Sequence, residues 1–357
     1  MLRGGLALLA ALALAAPLDA QETAMSPGEI VAAAPQSDWV AIAPEDLLVM
    51  TLAPDGEGQP RQVYIQLMPP PFSQGWIENI RTLARAHWYD GLAVMRVQDN
   101  YVVQWGDPNH DNPESSGPQK PLPEGLKVMN QGDYAAPTVD VAMAYNGEEI
   151  TPENRSTWSD NDWSTNRDPV FHNQRPDIRI TQTDWTYAGW HQRDSSAEWI
   201  EFFEGWPVGT EGEAEDAPWW PLHCYGMVGV GHGMPPDTGT GGELYTVIGQ
   251  APRHLDRNLA LVGRVVEGIE HLSSLPRGAG AGGFYADPAR RTGIESIRVA
   301  SDLPPSERPS FEYLSTESDS FARYVEARAN RRDPFFVVPA GGAAICNIPV
   351  PVRRITG

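Results

Sequence analysis

Residues 91–108 read GLAVMRVQDNYVVQWGDP, two apolar runs on either side of Asp99-Asn100. LAVMRV (92–97) and YVVQWG (101–106) are short, rich in Val and separated by a turn-forming pair, so they predict two adjacent antiparallel strands. Arg96 is the one cation of the segment and stands near the end of the first run. Taken alone, such a residue is most often a surface or ion-paired strand arginine.

Outward from this pair the same grammar continues. LLVMTLA (47–53) and VYIQLM (63–68) flank DGEGQPR, whose Asp55-Gly56 is a hairpin signal. WIENIRTLARA follows, with Trp76, Ile80, Leu83 and Ala84 on one helical face and Ser73 placed as N-cap. Strand signals resume at CYGMVGVG (224–231) and LYTVIG (244–249), joined by a Gly/Pro/Thr-rich loop from Gly233 to Gly242. A second helix is expected in EGIEHLSSL, a closing strand in TGIESIRVA (292–300), and beyond Pro304 a tail with one helix, FARYVEARANRR. The 34 Gly and 33 Pro among 357 residues favour turns and short strands over a helical bundle. The expected class is mainly β.

Between the two halves of this pattern the texture changes. Residues 107–220 hold 22 acidic against 7 basic side chains, most of the chain's net charge of −21, and eight of its twelve Trp residues. An acidic stretch this rich in aromatics is expected to fold around a small core of its own rather than act as a linker. The charge balance also argues against a partner with a phosphate backbone, such as nucleic acid. Paired carboxylates at Glu148-Glu149 and Asp160-Asp162 are too common here to single out a catalytic pair, and a solvated loop outweighs a calcium site at DNDW. No zinc, nucleotide or nucleophile-elbow motif is present, so no metal site is expected.

The first twenty residues, MLRGGLALLAALALAAPLDA, set one cation ahead of a short apolar run that ends in small residues. This predicts a secretory signal peptide over 1–20 and an exported, most readily periplasmic, protein without stable membrane insertion. Residues 21–45 are rich in Ala, Pro and Ser without a period and read as a flexible leader, with order starting at Asp46. Two cysteines, Cys224 and Cys346, either pair across a long loop or stand as separate buried thiols.

The order of these elements resembles the cyclophilin-type peptidyl-prolyl isomerases. GLAVMRVQDNYVVQWGDP is similar to the family's FHRVIPGFMIQGGD segment, and GMVGVGHG (226–233) to its GxLSMANA strand. GGELYTVIGQAPRHLDRNLALVGRVVEG (241–268) resembles its GSQFFI and LDGxHVVFGKVxxG stretches. The resemblance implies a closed antiparallel β-barrel capped by two helices over 46–302, carrying a long insertion at about 109–222 and a C-terminal extension over 303–357. It also implies isomerisation of proline-containing polypeptide clients with no cofactor and no covalent intermediate.

Residue by residue, Arg96 matches the family's catalytic Arg. Tyr101 and Val102 match the Phe and Met of the proline pocket, Gln104 the Gln that contacts substrate backbone, Tyr245 the second pocket aromatic and Leu255 the pocket Leu. His232 stands for a substrate-contacting Asn and Glu243 for a Gln that positions the Arg or binds substrate. Met95 replaces the His beside the catalytic Arg, His254 an aromatic rim residue and Leu259 a His. These departures imply weak sensitivity to cyclosporin-type ligands. They also leave two other readings in play, a catalytically impaired chaperone that grips proline segments, and a barrel that serves as scaffold for a functional insertion.

Overall fold

The computed structural model describes residues 24–107, 109, 117–145, 151, 194–211, 216–338 and 342–355. The signal segment 1–20, Trp158, Trp163, Trp185 and Trp190, and the Glu148-Glu149 and Asp160-Asp162 pairs lie outside the described residues. The hairpin around Asp55-Gly56 forms as expected: β2 (Leu47–Leu52) pairs antiparallel with β3 (Arg61–Leu67) from Leu47↔Gln66 to Leu52↔Arg61. α2 (Gln74–Arg85) follows, after α1 (Pro27–Ala33) and β1 (Trp39–Ala41) earlier in the chain. Its Trp76, Ile77, Ile80, Leu83 and Ala84 are buried, as its apolar face requires. Ser73 holds the cap position with left-handed backbone (φ 55°), yet its side chain makes no capping bond. The left-handed backbone, rather than the hydroxyl, turns the chain into the helix there.

β4 (Ala93–Val97) and β5 (Val102–Gly106) form the predicted pair. With β10 (Met227–Val230), β11 (Leu244–Val247), β12 (Leu261–Glu267) and β13 (Thr292–Val299) they close an eight-stranded antiparallel barrel in the order β10-β11-β5-β4-β13-β2-β3-β12. Val103 and Trp105 of β5, Met50 of β2, Ile65 of β3 and Leu244 of β11 join one buried apolar cluster together with the face of α2. The second helix expected over 267–275 is the single turn α4 (Glu270–Ser273).

Part of the insertion has its own sheet. β6 (Ala136–Pro137), β7 (Trp199–Phe203), β8 (Trp206–Thr210) and β9 (Pro218–Pro221) pair in the order β6-β9-β8-β7, beside the helix α3 (Thr138–Tyr145). Trp206, Trp219 and Trp220 are fully buried and continuous with the barrel's core. Arg264 of β12 reaches into this module, donating to the Gly205 carbonyl (2.6 Å) with its guanidinium 4.5 Å from the Trp206 ring.

The flexible leader requires correction from residue 27 onward. α1 is a helix closed by a Ser26/Glu29 capping box, and β1 pairs with β14 (Phe311–Leu314), placing Trp39 opposite Leu314. β15 (Val352–Arg354) completes a three-stranded sheet, and α5 (Asp319–Ala329) covers α1. Trp39 is buried with the Arg353 guanidinium 3.8 Å from its ring centroid, which is why this Ala/Pro-rich stretch is ordered. Cys224 and Cys346 form a disulfide (Cα–Cα 5.0 Å) that spans 122 residues and ties the extension to the segment entering β10.

Candidate active site

The site grows on the outer face of β4, β5 and β11. Side chains alternate along a strand, so while Val103 and Trp105 enter the barrel, Val102 and Gln104 face the other way. Val102, Tyr245 and Val247 make a small apolar cluster separate from the core, joined by Tyr101 and Leu259. A register shift between Val94 and Arg96 bulges β4, and Met95 is fully buried there. A bulge re-aims the residue that follows it, and Arg96 is set opposite Gln104.

Arg96 is held at three points. Its Nε donates to the Gly282 carbonyl (2.6 Å), Nη1 to Gln104 Oε1 (3.0 Å) and Nη2 to Gln98 Oε1. Its guanidinium also lies 5.7 Å from the Tyr101 ring and 5.4 Å from that of Phe284. Burial lowers the Arg96 pKa from its ordinary value while Tyr101 and Glu243 favour the charged form. Arginine remains a cation in proteins.

Seven of the eight expected substrate-side residues meet at one cavity of about 160 Å³, lined by Arg96, Tyr101, Val102, Gln104, His232, Tyr245 and Leu255, with Gly231 and Leu259. The eighth, Glu243, is buried behind that wall, accepts from Gln104 Nε2 (2.9 Å), and faces a neighbouring cavity of about 250 Å³ with Lys120 and Trp88. His232 keeps both ring nitrogens near backbone carbonyls, Nδ1 at 2.6 Å from Gly233 O and Nε2 at 3.1 Å from Asn258 O. A neutral imidazole carries one N–H, so it satisfies one of the two at a time. His254 stacks on Tyr101 (6.2 Å, 9° between planes), giving the rim a weaker aromatic surface than a Trp would.

Several participants escape sequence reasoning. Phe284 and Gly282 approach Arg96 from a glycine-rich run that carries no strand or helix signal. Tyr134, from the insertion, stacks near His232 (6.3 Å). Behind the pocket, the Tyr245 hydroxyl lies 2.7 Å from His223 Nε2, and His223 Nδ1 lies 2.9 Å from Asp256 Oδ1. Burial pushes the Tyr245 phenol well up and the His223 imidazole down. Asp256 is lowered, because hydrogen bonds and charge from His223 and Arg253 outweigh the burial that would raise it. His223 gives no signal in one dimension, being a lone histidine between apolar neighbours.

A cavity with apolar walls from Tyr101, Val102, Tyr245 and Leu255 and with a fixed guanidinium and an amide beside them suits a ring next to a peptide bond. The family model described as cyclophilin type peptidyl-prolyl cis-trans isomerase/CLD matches residues 76–299. A comparison with curated proteins finds no match. Among solved structures, that of the cyclophilin AquaCyp293 from Hirschia baltica aligns over 89% of this chain and 95% of its own, at 20% identity and a TM-score of 0.56. A cyclophilin-type peptidyl-prolyl cis-trans isomerase of Cryptosporidium parvum aligns over 73% of this chain and 99% of its own, at 11% identity and a TM-score of 0.36. The fold is that of the first of these, and the chain belongs to the cyclophilin-type peptidyl-prolyl cis-trans isomerase family.

Proposed function

We propose that the protein isomerises X-Pro bonds in exported polypeptides and assists their folding, with Arg96 stabilising the twisted prolyl amide. The supporting observation is the placement of Arg96 at the wall of the Tyr101/Val102/Tyr245/Leu255 cavity. Three of its five N–H donors are tied to Gly282, Gln104 and Gln98, leaving two without a protein partner among the described residues.

Rotation about the prolyl bond meets a barrier of about 18–20 kcal/mol, because the nitrogen lone pair is shared with the carbonyl. As the bond twists, that pair localises on nitrogen and becomes an acceptor it was not in the planar amide. A guanidinium N–H aimed at it binds the twisted state better than either planar isomer, which is the condition for catalysis. The apolar walls hold the prolyl ring in both states. Gln104, its amide oxygen taken by Arg96, keeps the donor in place. No proton is transferred and no covalent bond forms or breaks.

Export is part of the proposal. The Arg3-led apolar segment 6–16 supports it, and the Cys224–Cys346 disulfide fits an oxidising compartment. NMR exchange on a short X-Pro peptide, comparing mature protein with Arg96→Ala, tests the chemistry. Loss of roughly 100-fold or more in kcat/KM, with peptide affinity retained, is expected. Specific binding without any acceleration by the wild type would instead make the protein a proline-segment chaperone.

A further inference from the structure

Tyr245 forms a wall of the proline pocket, and a Phe there would supply the same ring. The hydroxyl needs a buried partner and has one. A Cβ at Gly229 would run into the Tyr245 hydroxyl and ring, so the glycine on the paired strand makes the room this larger side chain needs. The hydroxyl then meets His223, whose ring lies nearly parallel to that of Tyr245 (9°) and is wholly buried.

The direction of these hydrogen bonds follows from chemistry. An ionised Asp256 only accepts, so the His223 Nδ1–H donates to it, Nε2 of the neutral ring is an acceptor, and Tyr245 O–H donates to Nε2. Asp256 also accepts from the His223 backbone N–H (3.0 Å) and from Arg253 Nε (2.5 Å). Arg253 grips Asp194 of the insertion with its other nitrogens, at 2.6 and 3.0 Å. Asp256 directly follows Leu255, so one buried anchor fixes two walls of the pocket.

We infer that His223 is a positioning residue of the proline pocket, and that the insertion sets the pocket's shape through Asp194, Arg253, Asp256 and His223. The inference rests on the isomerase reading of this pocket. The chain of contacts touches no substrate; it acts on how firmly Tyr245 and Leu255 are held. A grip shared by planar and twisted substrate governs KM more than kcat.

The test uses the full mature chain with Asp194→Ala, Asp194→Glu and Tyr245→Phe variants. Peptide exchange gives KM and kcat, and the NMR signals of the His223 imidazole and the Tyr245 ring report the contacts directly. Asp194→Ala is expected to raise KM about threefold with kcat within about twofold, and to move the signals of both rings. Asp194→Glu should restore them, and Tyr245→Phe should shift the His223 nitrogens. Unmoved His223 signals in Tyr245→Phe, or unmoved Tyr245 signals in Asp194→Ala, would overturn the inference whether or not the wild type accelerates exchange. Absence of acceleration by the wild type would sink the isomerase reading alone, since the ring signals test the relay without it.

Discussion

Arg96 and Glu243 are joined through the side-chain amide of Gln104, which accepts from the guanidinium at 3.0 Å and donates to the carboxylate at 2.9 Å. The arrangement fixes which way the amide points, and with it the face Arg96 turns to the cavity. A Gln at 243 could accept the same bond through its amide oxygen. Glu243→Gln is therefore expected to keep kcat/KM within about threefold of wild type, while Gln104→Ala, which removes a partner of a charged group, should cost about 10-fold or more. Single-turnover NMR exchange on one peptide would measure both. A large loss in Glu243→Gln would mean that the charge itself, rather than the accepted hydrogen bond, sustains Arg96.

The barrel strands were legible because each carries its own pattern. Short apolar runs around Asp99-Asn100 and Asp55-Gly56 need no distant information to declare a hairpin, and they form in the expected pairing. Arg96, Tyr101, Val102, Gln104, His232, Tyr245 and Leu255 line one cavity. Strand spacing joins only Arg96, Val102 and Gln104, and the others were legible through the motif resemblance, since His232 and Leu255 lie outside the strands. What escaped depends on pairings across the whole chain. β1 is three residues long and is ordered by β14 and Arg353, so nothing local marks Trp39 as buried. His223, Asp256 and Asp194 likewise become one unit only when the insertion docks against the barrel.

Trp39 gives a direct measure of that hidden order. It is buried, stacked by Arg353 and set in a sheet that joins the two ends of the described chain. Trp39→Ala should lower unfolding free energy by about 3 kcal/mol, the low end for a buried aromatic, because the ring is on a peripheral sheet. Urea denaturation followed by circular dichroism would read it. A change below about 0.5 kcal/mol would return this region to a loosely held leader.

The disulfide carries a second stability prediction. Cys224 enters the barrel at β10 and Cys346 belongs to the extension, so the bond restrains a loop of 122 residues in the unfolded chain. Cys346→Ser is expected to cost about 2 to 4 kcal/mol, and reductant should destabilise the wild type by a similar amount while leaving the variant unchanged. Thermal unfolding with and without dithiothreitol distinguishes the two. Equal sensitivity of both proteins to reductant would place the effect elsewhere than this bond.

The β7–β8 turn gives the protein a pH dependence of unusual sign. Glu204 and Gly205 both have positive φ, 46° and 86°, as a two-residue hairpin of this kind needs. Burial first, and the charge of Glu317 second, push the Glu204 carboxyl up to about 7 from its ordinary 4.5, and Glu201 is raised as well. Among the described residues, Tyr313 and Arg264 also pack against this corner. Between those two values the folded chain binds the proton more tightly than the unfolded one, so this contribution to stability is lost as pH rises through about 4.5 to 7. Glu204→Gln removes the titration while keeping the shape. Its melting temperature should match that of the wild type near the acid end of the window and exceed it by roughly 3 °C above the alkaline end. Parallel melting curves for the two proteins across the whole window would show that Glu204 titrates as an ordinary surface carboxylate, and that the turn is more open to water than its burial indicates.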